Sequence, residues 1–215
     1  DRLRDGRRVV HRAFVTPPVS KPVDGFVLRS SVIGADGVLP KRHTCDGDSI
    51  APPLEWSGIP AGTKSLALAI HHVPPGASGG GDEHSYMVLW GIPPTAKGIA
   101  EAQQDLGTWG VTSQGRKVGY APPCSQGPGE KTYVATVYAL SAEPKLAAGS
   151  TTFGQMLAAI APITLGTADL PMKYARQAQG DQGQPGQPGQ GARGGKGGRG
   201  GKGGQGGGQG GQGGG

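Results

Sequence analysis

Short apolar runs cut apart by chain breakers set the fold class of this chain. Residues 65–70 (SLALAI) and 86–92 (YMVLWGI) are nearly continuous apolar runs, and both are bounded by Gly, Pro, Ser or Asp clusters. Runs of that length between breakers suit strands covered on both faces better than helices. Residues 132–140 (TYVATVYAL) add a third run. It is rich in Val, Thr and Tyr, whose branched and aromatic side chains favour extended backbone. Regular structure begins at Phe26-Val27-Leu28, and short runs recur from there on, which is an all-β signature. One helix is expected, Phe153–Ile160, because Thr152 and Gln155 have capping-box spacing ahead of an apolar stretch and Pro162 stops it. Ile163, Leu165 and Leu170 then read as short strand or turn segments ending at Tyr174.

Glycine and charge divide the chain into parts. Of 43 glycines, 21 lie in residues 180–215, and from residue 177 onward almost nothing is apolar. Nothing there can be buried to offset the ordering entropy, so 177–215 reads as a disordered Gly/Gln/Lys/Arg tail and flexible spacer. Its QPGQPG start has collagen-like spacing that soon breaks down. Its RGGKGGRGGK segment is similar to Arg-Gly-Gly stretches that hold RNA electrostatically, yet it has no aromatic residue for stacking. Nucleic-acid contact is therefore expected only weakly, and only through the tail. Residues 1–24 form a basic, Pro-containing arm or linker, with Thr16-Pro17-Pro18 and Lys21-Pro22 as breakers. The net charge of +6 sits in the two ends, because residues 13–179 carry equal numbers of acidic and basic side chains. A basic nucleic-acid-binding face on the domain is not expected, and residues 25–176 are of ordinary size for one domain.

No run approaches the roughly 18 apolar residues that a membrane helix needs. The two cysteines, Cys45 and Cys124, have no Cys-x-x-Cys or His spacing of a zinc site. They pair if the protein is exported, or stay buried thiols if it is cytosolic. The start at Asp1 together with this cysteine pair leans toward a periplasmic or secreted protein. A triad of Ser125, His84 and Asp82 lacks the Gly-x-Ser-x-Gly turn that would activate a serine. No catalytic set is expected. A metal site of His43, His72 and His84 is conceivable chemically, but the expectation is no metal and no cofactor. The long polar loops 74–83 and 115–131 are where a binding site is expected.

Five blocks in order carry a resemblance. They are His43-Thr44-Cys45-Asp46-Gly47; Pro52-Pro53-Leu54-Glu55-Trp56-Ser57-Gly58-Ile59-Pro60 followed by Gly62-Thr63-Lys64-Ser65-Leu66-Ala67-Leu68; Val88-Leu89-Trp90-Gly91-Ile92-Pro93-Pro94; Gly119-Tyr120-Ala121-Pro122-Pro123-Cys124; and 133–140. The chain resembles the phosphatidylethanolamine-binding proteins, in their bacterial Raf-kinase-inhibitor-like branch, from about Phe26 to Arg176. The resemblance implies a large antiparallel sheet packed on a smaller one, with a short helix near the C-terminus. It also implies a small anion pocket at one end of the sheet that receives phosphate or a phosphorylated head group.

Carried over residue by residue, the implied pocket departs from the family pattern. The family's pocket aspartate falls on His72, its pocket histidine on Tyr86, and its His-Arg pair on Lys131-Thr132. His84, two residues before Tyr86 and on the same face of a strand, can substitute for the lost histidine. Tyr120 and Pro123 match directly, Tyr174 fits the C-terminal tyrosine, and Pro122 replaces a glycine. The expected ligand site is thus His72, His84, Tyr86, Tyr120, Pro123, Lys131 and Tyr174, with the carboxylate gone. His71 and His72 point to opposite faces, so only one of them can line it. Such a pocket favours a small anion, namely phosphate, a phosphorylated head group or a carboxylate, over a zwitterion. The implied function is non-enzymatic binding or regulation. The alternative is a protein-interaction module, like a kinase or protease inhibitor, whose pocket no longer binds ligand.

Overall fold

A computed structural model describes residues 19–72, 84–124 and 129–176. Residues 1–18 of the expected arm, the 177–215 tail, the whole loop at 74–83 and residues 125–128 of the loop at 115–131 lie outside the described residues. Among the described residues, eight strands form two antiparallel sheets. β1 (Val27–Arg29), β2 (Leu54–Ser57) and β5 (Gly98–Ile99) make the smaller one, in the order β1-β2-β5. β3 (Ser65–His72), β4 (His84–Ile92), β6 (Thr108–Trp109), β7 (Glu130–Leu140) and β8 (Thr164–Ala175) make the larger, in the order β6-β4-β3-β7-β8. One helix, α1 (Phe153–Ile160), precedes β8. The expected architecture, all-β with a large and a small sheet and a single short helix, is the observed one.

The three apolar runs form the centre of the large sheet because both of its faces are covered. Leu66, Leu68 and Ile70 alternate into a core shared with Leu28, Leu54, Trp56 and Ile99 of the small sheet. Ala67 and Ala69 point the other way, into a second core with Val88, Trp90, Phe153, Met156, Leu157 and Ile160. Alternation by two along one strand therefore feeds both cores, and small residues on the helix side leave room for the larger side chains of α1. The helix starts as expected. Gln155 N–H donates to the Thr152 hydroxyl and Thr152 N–H donates to the Gln155 side chain, satisfying two otherwise unpaired amides.

Two local features differ from the expectation. The segments after the helix are one strand of 12 residues, and Pro171 is tolerated within it because β8 is the edge of the sheet. Residues 21–22 of the expected arm lie against the same edge: Thr167 N–H donates to Lys21 O at 2.7 Å, and Pro22 bridges Thr167. Val23 packs on the core between the sheets, and Val19 packs on the helix side.

Candidate ligand site

Four buried tyrosines gather at one end of the core between the sheets, and their positions follow from the backbone around them. Tyr86 sits at a bulge in β4, where pairing shifts between Ile70↔Met87 and His71↔Ser85. The extra residue lets Tyr86 and Met87 both join the core between the sheets, while His84 stays opposite His72. On β7, Tyr133 faces the same way, and Lys131 lies two residues before it, directly across from Tyr174 of β8. Tyr120 comes from the segment after Gly119, tied to β4 where Ala121 N–H donates to Tyr86 O at 2.8 Å.

The fourth wall is a tight turn over residues 41–50. Thr44 N–H and its hydroxyl both donate to Lys41 O, Gly47 N–H donates to Thr44 O, and Asp46 N–H donates to the Thr44 hydroxyl. Only glycine fits at position 47, since a Cβ there would lie 2.3 Å from Lys41 O. His43 is fully buried, and its Nδ1 donates to Ile50 O at 3.0 Å. The turn is fixed to the Tyr120 segment by the Cys45–Cys124 disulfide and by Cys45 N–H donating to Pro123 O at 3.1 Å. Tyr120 completes the join, its hydroxyl donating to His43 O at 2.5 Å.

The polar groups then fall into two sets. Asp46 accepts from the Tyr174 hydroxyl at 2.5 Å through Oδ2 and from the Arg176 guanidinium at 2.7 Å through Oδ1. The Tyr174 hydrogen bond, with help from Arg176, holds the Asp46 carboxyl below the usual carboxylate range. On the other side, His72 packs against Tyr133 with centroids 5.5 Å apart and meets His84 edge-on at 6.2 Å, while Tyr86 meets Tyr133 edge-on at 5.2 Å. His72 Nδ1 lies 2.6 Å from Thr132 O, and since a carbonyl can only accept, Nδ1 is the donor of this hydrogen bond. Tyr86, Tyr120, Tyr133 and Tyr174 are 5%, 8%, 2% and 9% exposed. Burial is the first cause that pushes all four phenols up, so they work as neutral hydrogen-bonding groups.

The structure brings together the residues expected from sequence. His72, His84, Tyr86 and, by register, Lys131 stand on one side; Tyr120, Pro123 and Tyr174 stand on the other, joined through the Cys45–Cys124 bridge. His71 faces away, stacking on Phe153 of α1 at 5.1 Å. Ser125 and Asp82 of the paper triad lie outside the described residues. One expectation needs correcting: the site does not lack a carboxylate, because Asp46 supplies one from the turn, already engaged by Tyr174 and Arg176. Sequence reasoning also passed over Tyr133, although a period of two from Lys131 places it on the same face. On the opposite face of the sheet, a cavity of about 350 Å³ lies between β4 and the start of α1, lined by Ser85, Ser113, Arg116 and Phe153 among others.

Residues 29–175 match the family model for phosphatidylethanolamine-binding protein, a span that holds nearly all of both sheets and the whole tyrosine cluster. The chain belongs to the phosphatidylethanolamine-binding protein family. Within the family it falls in the bacterial Raf-kinase-inhibitor-like branch that includes the UPF0098 proteins. It is 36% identical over 143 residues to a protein named lipoprotein LppC in Mycobacterium tuberculosis, covering 66% of this chain and 68% of that one. Its match to a UPF0098 protein of Methanothermobacter thermautotrophicus is local: 49% identical over 41 residues, 19% of this chain and 27% of that one. The crystal structure of the phosphatidylethanolamine-binding-protein homolog CT736 of Chlamydia trachomatis superposes with a TM-score of 0.64 at 27% identity, covering 72% of this chain and 100% of that one. Membership of the phosphatidylethanolamine-binding protein family implies an anion-binding pocket, and the tyrosine–histidine cluster supplies the groups for one. No helix among the described residues is long and apolar enough to cross a membrane.

Proposed function

We propose that this protein is a non-enzymatic binding or regulatory protein that takes a small anion at the cluster of Lys131, His72, His84 and the four buried tyrosines. The supporting observation is the charge arrangement. Among the described residues, the carboxylate that joins this cluster, Asp46, already faces Arg176 and the Tyr174 hydroxyl, whereas Lys131 stands across from Tyr174 and forms no ion pair. A phosphate, phosphorylated head group or carboxylate entering there meets a cation, imidazoles and neutral phenols that can donate hydrogen bonds. Among the described residues, an ammonium group meets no carboxylate in this cluster other than Asp46, which is already engaged.

The test is calorimetric titration of the whole chain with inorganic phosphate and with phosphoethanolamine at matched ionic strength. Affinities within about threefold of one another, less than 1 kcal/mol apart, fit an anion site. A preference for phosphoethanolamine of about tenfold or more overturns the reading, because it requires an acceptor for the ammonium that this arrangement does not offer.

A further inference from the structure

We infer that the Cys45–Cys124 bridge is a redox clasp on the ligand site: its reduction releases the 41–50 turn and weakens anion binding while the two-sheet domain stays folded. The inference rests on the ligand-site reading above. The turn is bonded to itself through Lys41, Thr44, Asp46 and Gly47, and outward through Arg42 to Glu101 and Asp46 to Tyr174 and Arg176, all side-chain contacts of residues at least partly exposed apart from Tyr174. It meets the Tyr120 segment at the bridge, at Cys45 N–H to Pro123 O and at the Tyr120 hydroxyl to His43 O. Of these three ties only the bridge is covalent, and it joins positions 79 residues apart in sequence.

Two observations separate a clasp from a staple of the whole fold. Neither cysteine lies in a strand or helix, and neither belongs to a core cluster, so cutting the bond removes no ladder hydrogen bond and no core packing. Both cysteines are also half-buried rather than sealed, which lets a reductant reach the sulfurs. The residue after Cys45 is Asp46, whose carboxylate receives the Tyr174 hydroxyl and Arg176. A freed turn therefore carries Asp46 with it, takes away the hydrogen bond that orients the Tyr174 hydroxyl, and loosens the Tyr120 contact, so the donors around the anion lose their fixed positions.

The chemistry is thiol–disulfide exchange with a dithiol. One thiolate of the reductant attacks a bridge sulfur, forming a mixed disulfide and expelling the other cysteine as a thiolate. The second thiol of the reductant then closes on the first, so two electrons and two protons pass to the protein, which ends with two thiols, and the reductant ends as a disulfide.

The experiment measures inorganic phosphate binding by the whole chain, oxidised and after dithiothreitol, alongside the Cys45→Ala/Cys124→Ala variant. Reduction is expected to raise Kd about tenfold, since binding must then re-order the turn and its side chains. The far-UV circular dichroism should stay unchanged, and the alanine variant should bind as the reduced chain does and ignore dithiothreitol. Equal affinity in both redox states, within about twofold, sinks the clasp and leaves the ligand site standing. Loss of the native spectrum on reduction also sinks it, because the bridge is then a staple. No phosphate binding by the oxidised chain removes the ligand-site reading and the clasp together.

Discussion

Replacing Tyr120 by Phe isolates one of the bonds that join the turn to the Tyr120 segment, and the cost should depend on pH in a calculable way. Near neutral pH the substitution deletes the hydroxyl that donates to His43 O at 2.5 Å and strands a buried carbonyl. Losing one such bond and leaving its acceptor unpaired should destabilise the domain by about 1–2 kcal/mol. The alkaline limb works in the opposite direction. Burial raises the Tyr120 phenol above its ordinary value of 10.0, so the folded chain holds this proton more tightly than the unfolded chain does. That contribution is fully present below pH 10 and is lost as pH rises further, because the unfolded phenol ionises first. One pH unit above 10, the unfolded wild type gains about 1.4 kcal/mol from this residue and the Phe variant gains nothing. The variant's deficit of about 1–2 kcal/mol at pH 8 should therefore shrink nearly to zero at pH 11. Urea melts of both proteins, followed by circular dichroism with the disulfide intact, give both numbers. A deficit that stays constant from pH 8 to pH 11, or a variant as stable as wild type at pH 8, would refute the reasoning.

Other substitutions test the scaffold around the site. Thr152→Ala removes the hydroxyl that caps α1 and should cost about 1 kcal/mol in a urea melt, with Thr152→Ser recovering most of it. Met156→Ala empties a fully buried position under the helix and should cost about 2–5 kcal/mol by the same measurement. Gly58→Ala combines a left-handed backbone, φ 70°, with a Cβ 1.7 Å from Gly25 O, so it should cost about 2 kcal/mol or more and disturb the β1–β2 end of the small sheet. Asp46→Asn should flatten the acid limb of the stability profile. The lowered Asp46 carboxyl contributes stability above its unfolded value of 3.8 and loses it as pH falls through the folded value, and the amide has no such dependence.

The parts of this fold legible in the sequence are those set by local chemistry. SLALAI announces a strand buried on both faces because alternate residues feed two cores, and Thr152 with Gln155 fixes the helix start through two specific hydrogen bonds. The strand over Thr164–Ala175 was harder to see, since Gly166 and Pro171 interrupt its pattern and only its edge position makes the proline harmless. Within the site, His72, Tyr86 and Lys131 could be placed from the family resemblance, and His84 from its spacing of two to Tyr86. Asp46 was missed because its role depends on a contact with Tyr174, 128 residues away, made possible by a turn that the disulfide and the Tyr120 hydroxyl hold in place. Its neighbour Cys45 was visible in the motif; the direction of the carboxylate was not.

The central claim is that the cluster of His72, His84, Lys131 and the four tyrosines binds a small anion. Amide NMR titration of the whole chain with inorganic phosphate tests it most directly, repeated on Lys131→Ala and His84→Ala. Saturable shifts should cluster at Tyr86, Tyr120, Tyr133 and Tyr174, and Lys131→Ala should weaken binding about tenfold, the worth of one charge-assisted hydrogen bond. Shifts absent at millimolar phosphate, or equally strong in both variants, would contradict the account.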